Sequence, residues 1–559
     1  MLAALFAQAA CASAAWACTG IYVGNQASTD GSAIYVRSND HQCVWGNRIS
    51  MVDRVESQSG RTAGVNVDGS ITTALPDTTY KYVCTPWMDS TCAENKLEQD
   101  AAVAANEYGV SMSMSVTALP SLAAEDADPF LDEGIAEQAA NSLVICQSKT
   151  AREALDKLLA LTDEYGNGEG SIAVIMDQTE AWYVELYTGH QYAAVKLPQD
   201  KVAVFGNEFN LERLSDYEEV RVSKDFYSLP ERAGFAQHFP DGELDVLGTY
   251  GAAVVEWCHM RTWIGHKELA PSAYGDYSGQ QRYPLAFSPD HKVSLEDALQ
   301  LIRNRYEGTE YCPDGTNRLD LRPIGIDTAM SVHALQVFPG KDADLSTVVW
   351  VSSGPAVLGV FVPVSVAAAQ VGESYGRNQP ASDQGVVDTQ AYPYYTFKLL
   401  AELGLKDMAT LGKPVQAYFQ AAEEGMVAGM RTVLDNAQAA RAAGQDPSGY
   451  LAAYCNTLQE KAFSDAKSIL NMVEWNYLNN SSTFQMMIDV DTGQATKDVR
   501  TYVPIEIDLD NTAYATVPTF EEANAGAPGS PNVLLIAGVA AAAVVVLAAV
   551  AALLLRKRA

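Results

Sequence analysis

This chain is short of positive charge, of histidine and of every common catalytic signature. Lys and Arg total 37 against 69 Asp and Glu, leaving a net charge of −32. Such acidity repels phosphate backbones and argues against a nucleic-acid partner. It suits an exported protein that must stay soluble. The seven histidines are scattered without HExxH spacing, and the nine cysteines include no CxxC pair. No metal or cofactor site is expected from such a pattern. A GxSxG elbow, a GxxxxGKS/T phosphate loop and a GxGxxG fingerprint are all missing. Ser464-Asp465-Ala466-Lys467 fits SxxK, but it lies in a helical stretch without companion motifs and reads as background.

Both ends of the chain are apolar. Residues 1–17 finish in Ala15-Trp16-Ala17, the small-x-small pattern that precedes a signal-peptidase cut. Cleavage there leaves Cys18 first, with a thiol and a free α-amine on one residue. A terminal amine titrates near about 7.7–8.0, so it can take the thiol proton at neutral pH. That is a nucleophile with its own base, and it needs no histidine. At the other end, residues 533–555 carry no charge and are followed by Arg556-Lys557-Arg558. This reads as a transmembrane helix with a cytoplasmic tail, 556–559. Residues 519–532 read as a flexible stalk. The expectation is therefore a catalytic domain, 18–518, outside the cell and held in its membrane by one helix. If Cys18 is kept for chemistry, seven cysteines remain after the leader is removed, which cannot all pair within the chain. Cys84 and Cys92 are close enough in sequence for a local bridge.

Between the ends, short β-prone runs at 19–23 and 32–37 flank the turn Ser28-Thr29-Asp30-Gly31. This puts Cys18 at the head of the first strand and Arg37 at the end of its hairpin partner. Residues 101–106 lead into Tyr108-Gly109-Val110 and the alternating run 111–116, another strand, and further strands are expected at 171–176, 181–187, 202–205, 347–351 and 357–364. Helices are expected at 136–146 and 150–162 from three- and four-residue apolar spacing. Another is expected at 295–306, capped by Ser294. Residues 394–478 read as largely helical, broken near Pro414 and at 444–449. Strand pairs alternate with helix pairs, which suggests α/β layers rather than strict βαβ units.

Cys18-Thr19-Gly20-Ile21-Tyr22-Val23-Gly24, then Ala27-Ser28-Thr29-Asp30-Gly31-Ser32, then Arg37-Ser38-Asn39-Asp40 resemble the amino-terminal block of the C69 dipeptidases. These are N-terminal nucleophile hydrolases, related to penicillin V acylase and bile salt hydrolase. The likeness continues through Asn106-Glu107-Tyr108-Gly109-Val110, Thr150-Ala151-Arg152-Glu153-Ala154 and Trp182-Tyr183-Val184-Glu185. It returns in Arg303-Asn304-Arg305-Tyr306-Glu307-Gly308-Thr309 and Ser353-Gly354-Pro355, covering about residues 18–480. Relatives often carry histidine where this chain has Arg305. The resemblance implies an α+β, four-layer αββα sandwich and amide hydrolysis through a cysteinyl acyl-enzyme. It makes Cys18 the nucleophile and its α-amine the base, with Arg37 favouring the thiolate and Asp40 orienting thiol and amine. Asn207 and Asn106 become amide donors to the oxyanion. A late arginine, Arg261 or Arg282, completes the set.

The residues also allow plainer readings. Arg37 and Asp40 could be an ordinary ion pair, and Asn106 and Asn207, each near a glycine, could be turn residues. The expected substrate is a dipeptide or short peptide. An acylase of the same fold is the nearest alternative. A lipidated, non-catalytic surface module is another, because Ala15-Trp16-Ala17-Cys18 could act as a poor lipobox.

Overall fold

The computed structural model describes residues 18–41, 46–90, 97–114, 117–314, 321–380, 386–479 and 502–525. The expected leader, Cys92 and the apolar run 533–555 lie outside them. Among the described residues no helix is long and apolar enough to cross a membrane.

Two antiparallel sheets form the centre. The six-stranded sheet runs in space Val202–Phe205, Gly20–Val23, Ala33–Asp40, Ala329–Val337, Thr347–Ser353, Val362–Ser365. The eight-stranded sheet begins at Val220–Val222 and passes through Tyr192–Lys196, Ala181–Leu186 and Ser171–Met176. It continues through Ser111–Met114, Ala101–Asn106 and Tyr82–Pro86 to Ser50–Val52. Side chains alternate cleanly across this second sheet, as the period of a strand requires. Val103, Ala105, Val174, Tyr183 and Val195 join the core shared with the six-stranded sheet. Ala104, Ile175, Trp182, Val184 and Ala194 join a separate core with the helices Glu137–Ile145 and Ala151–Tyr165.

The six-stranded sheet is covered in the same manner. Phe205 meets Tyr183 of the facing sheet at 5.1 Å between ring centroids. Its neighbour Val204, pointing the opposite way, touches Gly265 of the helix Glu256–Leu269. A Cβ on Gly265 would lie 2.2 Å from Val204, so the helix approaches the sheet only because that position is glycine. The long helices Lys413–Ala442 and Ser448–Asn479 pack on Val362–Ser365.

Several expectations change. The second strand runs on to Asp40, so Arg37 sits inside a strand rather than at its end. The helix after Ser294 has the expected cap, which Asp297 completes as a capping box, but it stops at Leu301. Tyr306, at φ 60°, already belongs to the following turn. Residues 357–364 divide into a short 3₁₀ turn, Ala356–Leu358, and the strand Val362–Ser365. The break expected near Pro414 is present: one helix ends at Gly404 and Pro414 stands in the first turn of the next, where a helix needs no N–H. A segment of the expected stalk, Phe520–Ala525, is helical. Thr519 and Glu522 cap it reciprocally, and Phe520 rests against Tyr450 at 5.4 Å. The SxxK pair is inert: Ser464 is exposed and Lys467 lies over the Phe463 ring.

One buried ion pair ties the helical layer to the sheet. Arg303 and Glu423, with side chains 2% and 4% exposed, meet at 2.5 Å. Arg303 Nε also donates to Ala356 O, and Phe361 N donates to Glu423 Oε1. Removing one member strands the other charge in the core, at a cost of about 3–5 kcal/mol. Glu423→Ala is therefore expected to lower the urea midpoint by an amount corresponding to that loss. An unchanged midpoint would show that the pair is dispensable.

Candidate active site

Strand register assembles the site. Gly20 pairs with Phe205 on one side and Arg37 on the other. Two residues beyond the first pairing stand Cys18 and Asn207, which therefore leave the same end of adjacent strands. Gly20 is required here: a Cβ would meet Phe205 at 2.4 Å and the Tyr35 hydroxyl at 2.9 Å. Thr19 and Ser38 lock the strand head, Ser38 N donating to Thr19 O and Thr19 N to Ser38 Oγ. Ser38 Oγ donates onward to Asp40 Oδ2 at 3.0 Å.

Cys18 is 1% exposed. Burial pushes its thiol up to about 11, Arg37 opposes that shift, and Asp40 and Glu137 add to it. The Asp40 backbone N–H donates to the sulfur. Burial likewise pushes the Asp40 carboxyl up to about 7 against the pull of Arg261, Ser38, Arg322 and Arg37. Arg37 is fully buried, its Nη1 donating to Ala102 O and Met114 O and its Nε to Ser38 O. Arg37 Nη2 and Asp40 Oδ1 have no hydrogen-bond partner among the described residues. Buried polar atoms left open in this way cost stability and mark a place where a ligand or reacting group belongs.

Of the two late arginines, Arg261 is the one that contacts the strand end carrying Cys18. Its Nη1 donates to Cys18 O at 2.5 Å and Thr19 Oγ1 at 3.0 Å, and its Nη2 to Asn207 Oδ1 at 2.8 Å. Arg282 pairs with Asp245 and Glu212 on the wall of the cavity that Asn207 also lines. Asn207 Nδ2 donates to Thr117 O. Asn207 also lines a cavity of about 640 Å³ together with Thr117, Glu169, Trp257, Cys258 and His259.

Asn106 is not among this group. Its Nδ2 donates to Ile145 O and Ser148 O, and its Oδ1 accepts from Tyr108 N and Val110 N. The side chain leaves its strand on the face of Ala104, toward the outer helices, and no N–H remains for an oxyanion. The turn reading of the Asn106-Glu107-Tyr108-Gly109 motif is the correct one. Arg305 is also elsewhere, held by Asp314 and Gly325 O.

Two contributors were not singled out from the sequence. Arg322 acts electrostatically on Asp40 and lies over Trp257 at 4.9 Å. Glu185, within the Trp182-Tyr183-Val184-Glu185 motif, organises the loop that carries Asn207. It accepts from Tyr183, Tyr187, Asn210 N and Leu211 N. Burial pushes the Glu185 carboxyl up to about 7.

A family model described as peptidase family C69 matches residues 17–421. The chain belongs to peptidase family C69. Probable dipeptidase B of Streptococcus pyogenes serotype M1 is 31% identical over 379 residues, covering 65% of this chain and 74% of that protein. Probable dipeptidase B of Lactococcus lactis subsp. lactis is 27% identical over 378 residues, covering 64% and 76%. A probable dipeptidase of Salmonella dublin is 26% identical over 386 residues, covering 66% and 84%. Among solved structures, a mutant conjugated bile acid hydrolase from Clostridium perfringens matches at TM-score 0.21 and 12% identity, over 33% of this chain and 52% of that one.

Two outcomes are expected of this C69 peptidase. Asn106→Ala leaves four backbone groups without their partner and should destabilise by about 3 kcal/mol, with activity per folded molecule retained. Equal stability with lost activity would return Asn106 to the site. The second concerns pH. Asp40 and Glu185 keep protons in the fold that the unfolded chain sheds near pH about 4, so stability falls as pH rises from about 4 to about 7. Asp40→Asn should flatten urea midpoints measured across that window; an unaltered slope would show that Asp40 ionises normally.

Proposed function

We propose that this protein is a cysteine dipeptidase that acts outside the cell through Cys18 as its mature amino-terminal residue. In this reading residues 1–17 are removed on export and residues 533–555 hold the enzyme in the membrane. Two stacked antiparallel sheets with helices on the outer faces suit the αββα sandwich of N-terminal nucleophile hydrolases. The observation that carries the reading is the convergence of Arg37, Asp40, Arg261 and Asn207 on Cys18. Membership of C69 and the dipeptidase names of its relatives give the substrate class.

The chemistry follows from these groups. In the full-length chain the Cys18 nitrogen is a peptide nitrogen, so the base exists only after cleavage before Cys18. The freed α-amine takes the thiol proton, and Sγ attacks the peptide carbonyl carbon. The buried thiol titrates high, which makes a base bonded to the same residue useful. Arg37 stabilises the thiolate, and Asp40 holds the α-ammonium in line. The oxyanion is met by the remaining N–H of Asn207 Nδ2, held in place by Arg261. The α-ammonium then protonates the leaving amine as the C–N bond breaks. Water, deprotonated by the α-amine, cleaves the thioester, releases the carboxylate product and restores the thiol.

Mature protein is expected to have an intact mass that begins at Cys18. Cys18→Ser should fold and lose dipeptide hydrolysis by on the order of 10⁴ or more. A mature chain that begins elsewhere and hydrolyses at full rate without Cys18 would refute the mechanism.

A further inference from the structure

Asn207 has a glycine before it and a glutamate after it, and both are fastened to the helix that carries Arg261. Gly206 N donates to Thr262 Oγ1 at 3.2 Å, and Thr262 Oγ1 donates to Glu208 Oε1 at 2.6 Å. A hydroxyl has one proton, so Glu208 meets this chain as an acceptor. His259, on the same helix, holds the Glu208 carboxylate from another side, with Nδ1 3.3 Å from both oxygens. Arg261 thus fixes the side chain of Asn207, and the Glu208 network fixes the backbone on either side of it.

The same imidazole reaches the opposite wall of the cavity. Its Nε2 is 2.7 Å from Gln281 O. Arg282 and Tyr283, which follow Gln281, line the cavity together with Asn207 and Glu208. A carbonyl and a carboxylate only accept hydrogen bonds, so both ring nitrogens must carry protons for the two contacts to stand together. A neutral ring has one N–H and must release either Glu208 or Gln281. His259 is 5% exposed, so little water reaches the ring to replace the lost bond.

The surroundings favour the charged ring. Burial opposes it, but the Glu208 hydrogen bond, the Glu208 charge and the Gln281 carbonyl outweigh burial and raise the imidazole above its ordinary value. Glu169 adds a second carboxyl to the cavity wall, and Arg282 is matched by Asp245 and Glu212. The Tyr277 and Tyr283 rings, 6.1 and 5.0 Å away, are both pushed up to about 12 by burial and stay neutral. His266, further along the helix, faces the carbonyls of Thr262 and Pro284 with no carboxylate in contact. Burial pushes it down to about 4, so it is neutral and only one of those contacts is a hydrogen bond.

We infer that Glu208 and His259 are positioning residues for Asn207, and that they tie it to the cavity wall at Gln281 only while His259 is an imidazolium. This rests on the cysteine dipeptidase reading and adds a second proton to its requirements. The α-amine of Cys18 must have lost its proton, and His259 must keep its own. The kcat/KM profile therefore rises with pH as the amine deprotonates and falls again as His259 does.

Two measurements on the mature protein test this. In nitrogen NMR of histidine-labelled protein, the His259 signal is assigned by its loss in His259→Gln. It should show both ring nitrogens protonated near about pH 6 and a titration above about 6.5 that moves down in Glu208→Gln. In kinetics on Ala-Leu, the wild type should show the alkaline fall in kcat/KM and His259→Gln should lack it. Glu208→Gln should lower kcat/KM about 10- to 100-fold, with part of the loss recovered in Glu208→Asp. An alkaline fall that persists in His259→Gln, or a His259 signal unmoved by Glu208→Gln, overturns the inference. So does a loss in Glu208→Gln that only matches a loss of folded protein. If Glu208→Gln does not fold, the wild-type titration and the His259→Gln profile still decide. The two readings fail separately. If cleavage depends on Cys18 while its pH profile ignores His259, only the positioning role falls. If His259 titrates with Glu208 as stated and Ala-Leu is never cleaved, the dipeptidase reading falls and the ion pair stands.

Discussion

The Arg261 guanidinium is the constraint on which the rest of the site depends. It spans the gap between two strand ends, holding the carbonyl of Cys18 and the side chain of Thr19 on one side and Asn207 on the other. Backbone pairing brings these ends close, since Gly20 faces Phe205, but pairing alone does not fix where an amide points. A planar fork with several donors does. Its approach depends on Gly206, where a Cβ would meet Cys258 O at 2.7 Å and the guanidinium carbon at 3.4 Å. A turn further along the same helix, Gly265 likewise lets the helix lie close on Val204.

Such a site works against the stability of the fold. Arg37, Asp40 and Arg261 are all buried, and two of them carry polar atoms without partners among the described residues. Apolar side chains in these places would pack at lower cost. The penalty falls where two sheets and a helix already over-determine the backbone. Glu185 acts in a similar way at longer range: one buried carboxylate gathers two tyrosine hydroxyls and two backbone N–H groups to shape the loop behind Asn207.

Much of this was legible in the amino acids. The hairpin that carries Cys18 and Arg37, and most strands and helices around the site, follow from local pattern. What was not legible depended on contacts far apart in the chain. The helix Glu256–Leu269 buries His259, Arg261, Thr262 and His266 along with its apolar residues, so it has no polar face to announce it. The choice between Arg261 and Arg282 could not be made without it. The strand Ala329–Val337, with two Ala, one Ser, one His and one Gln among its nine residues, has a weak strand signal and is held as one by burial between two others. Asn106 misled because its neighbours matched a family motif. The preference of Asn near Gly for capping turns was the stronger signal.

The central claim is that Arg261 acts on the reaction through Asn207. A double-mutant cycle on kcat/KM for a free dipeptide tests it, with Arg261→Lys and Asn207→Ala measured singly and together. Each single change is expected to cost roughly 10²–10³, and the pair little more than the worse single, because the second change removes an interaction already lost. Losses that multiply would contradict the account, showing that Arg261 and Asn207 serve the enzyme independently.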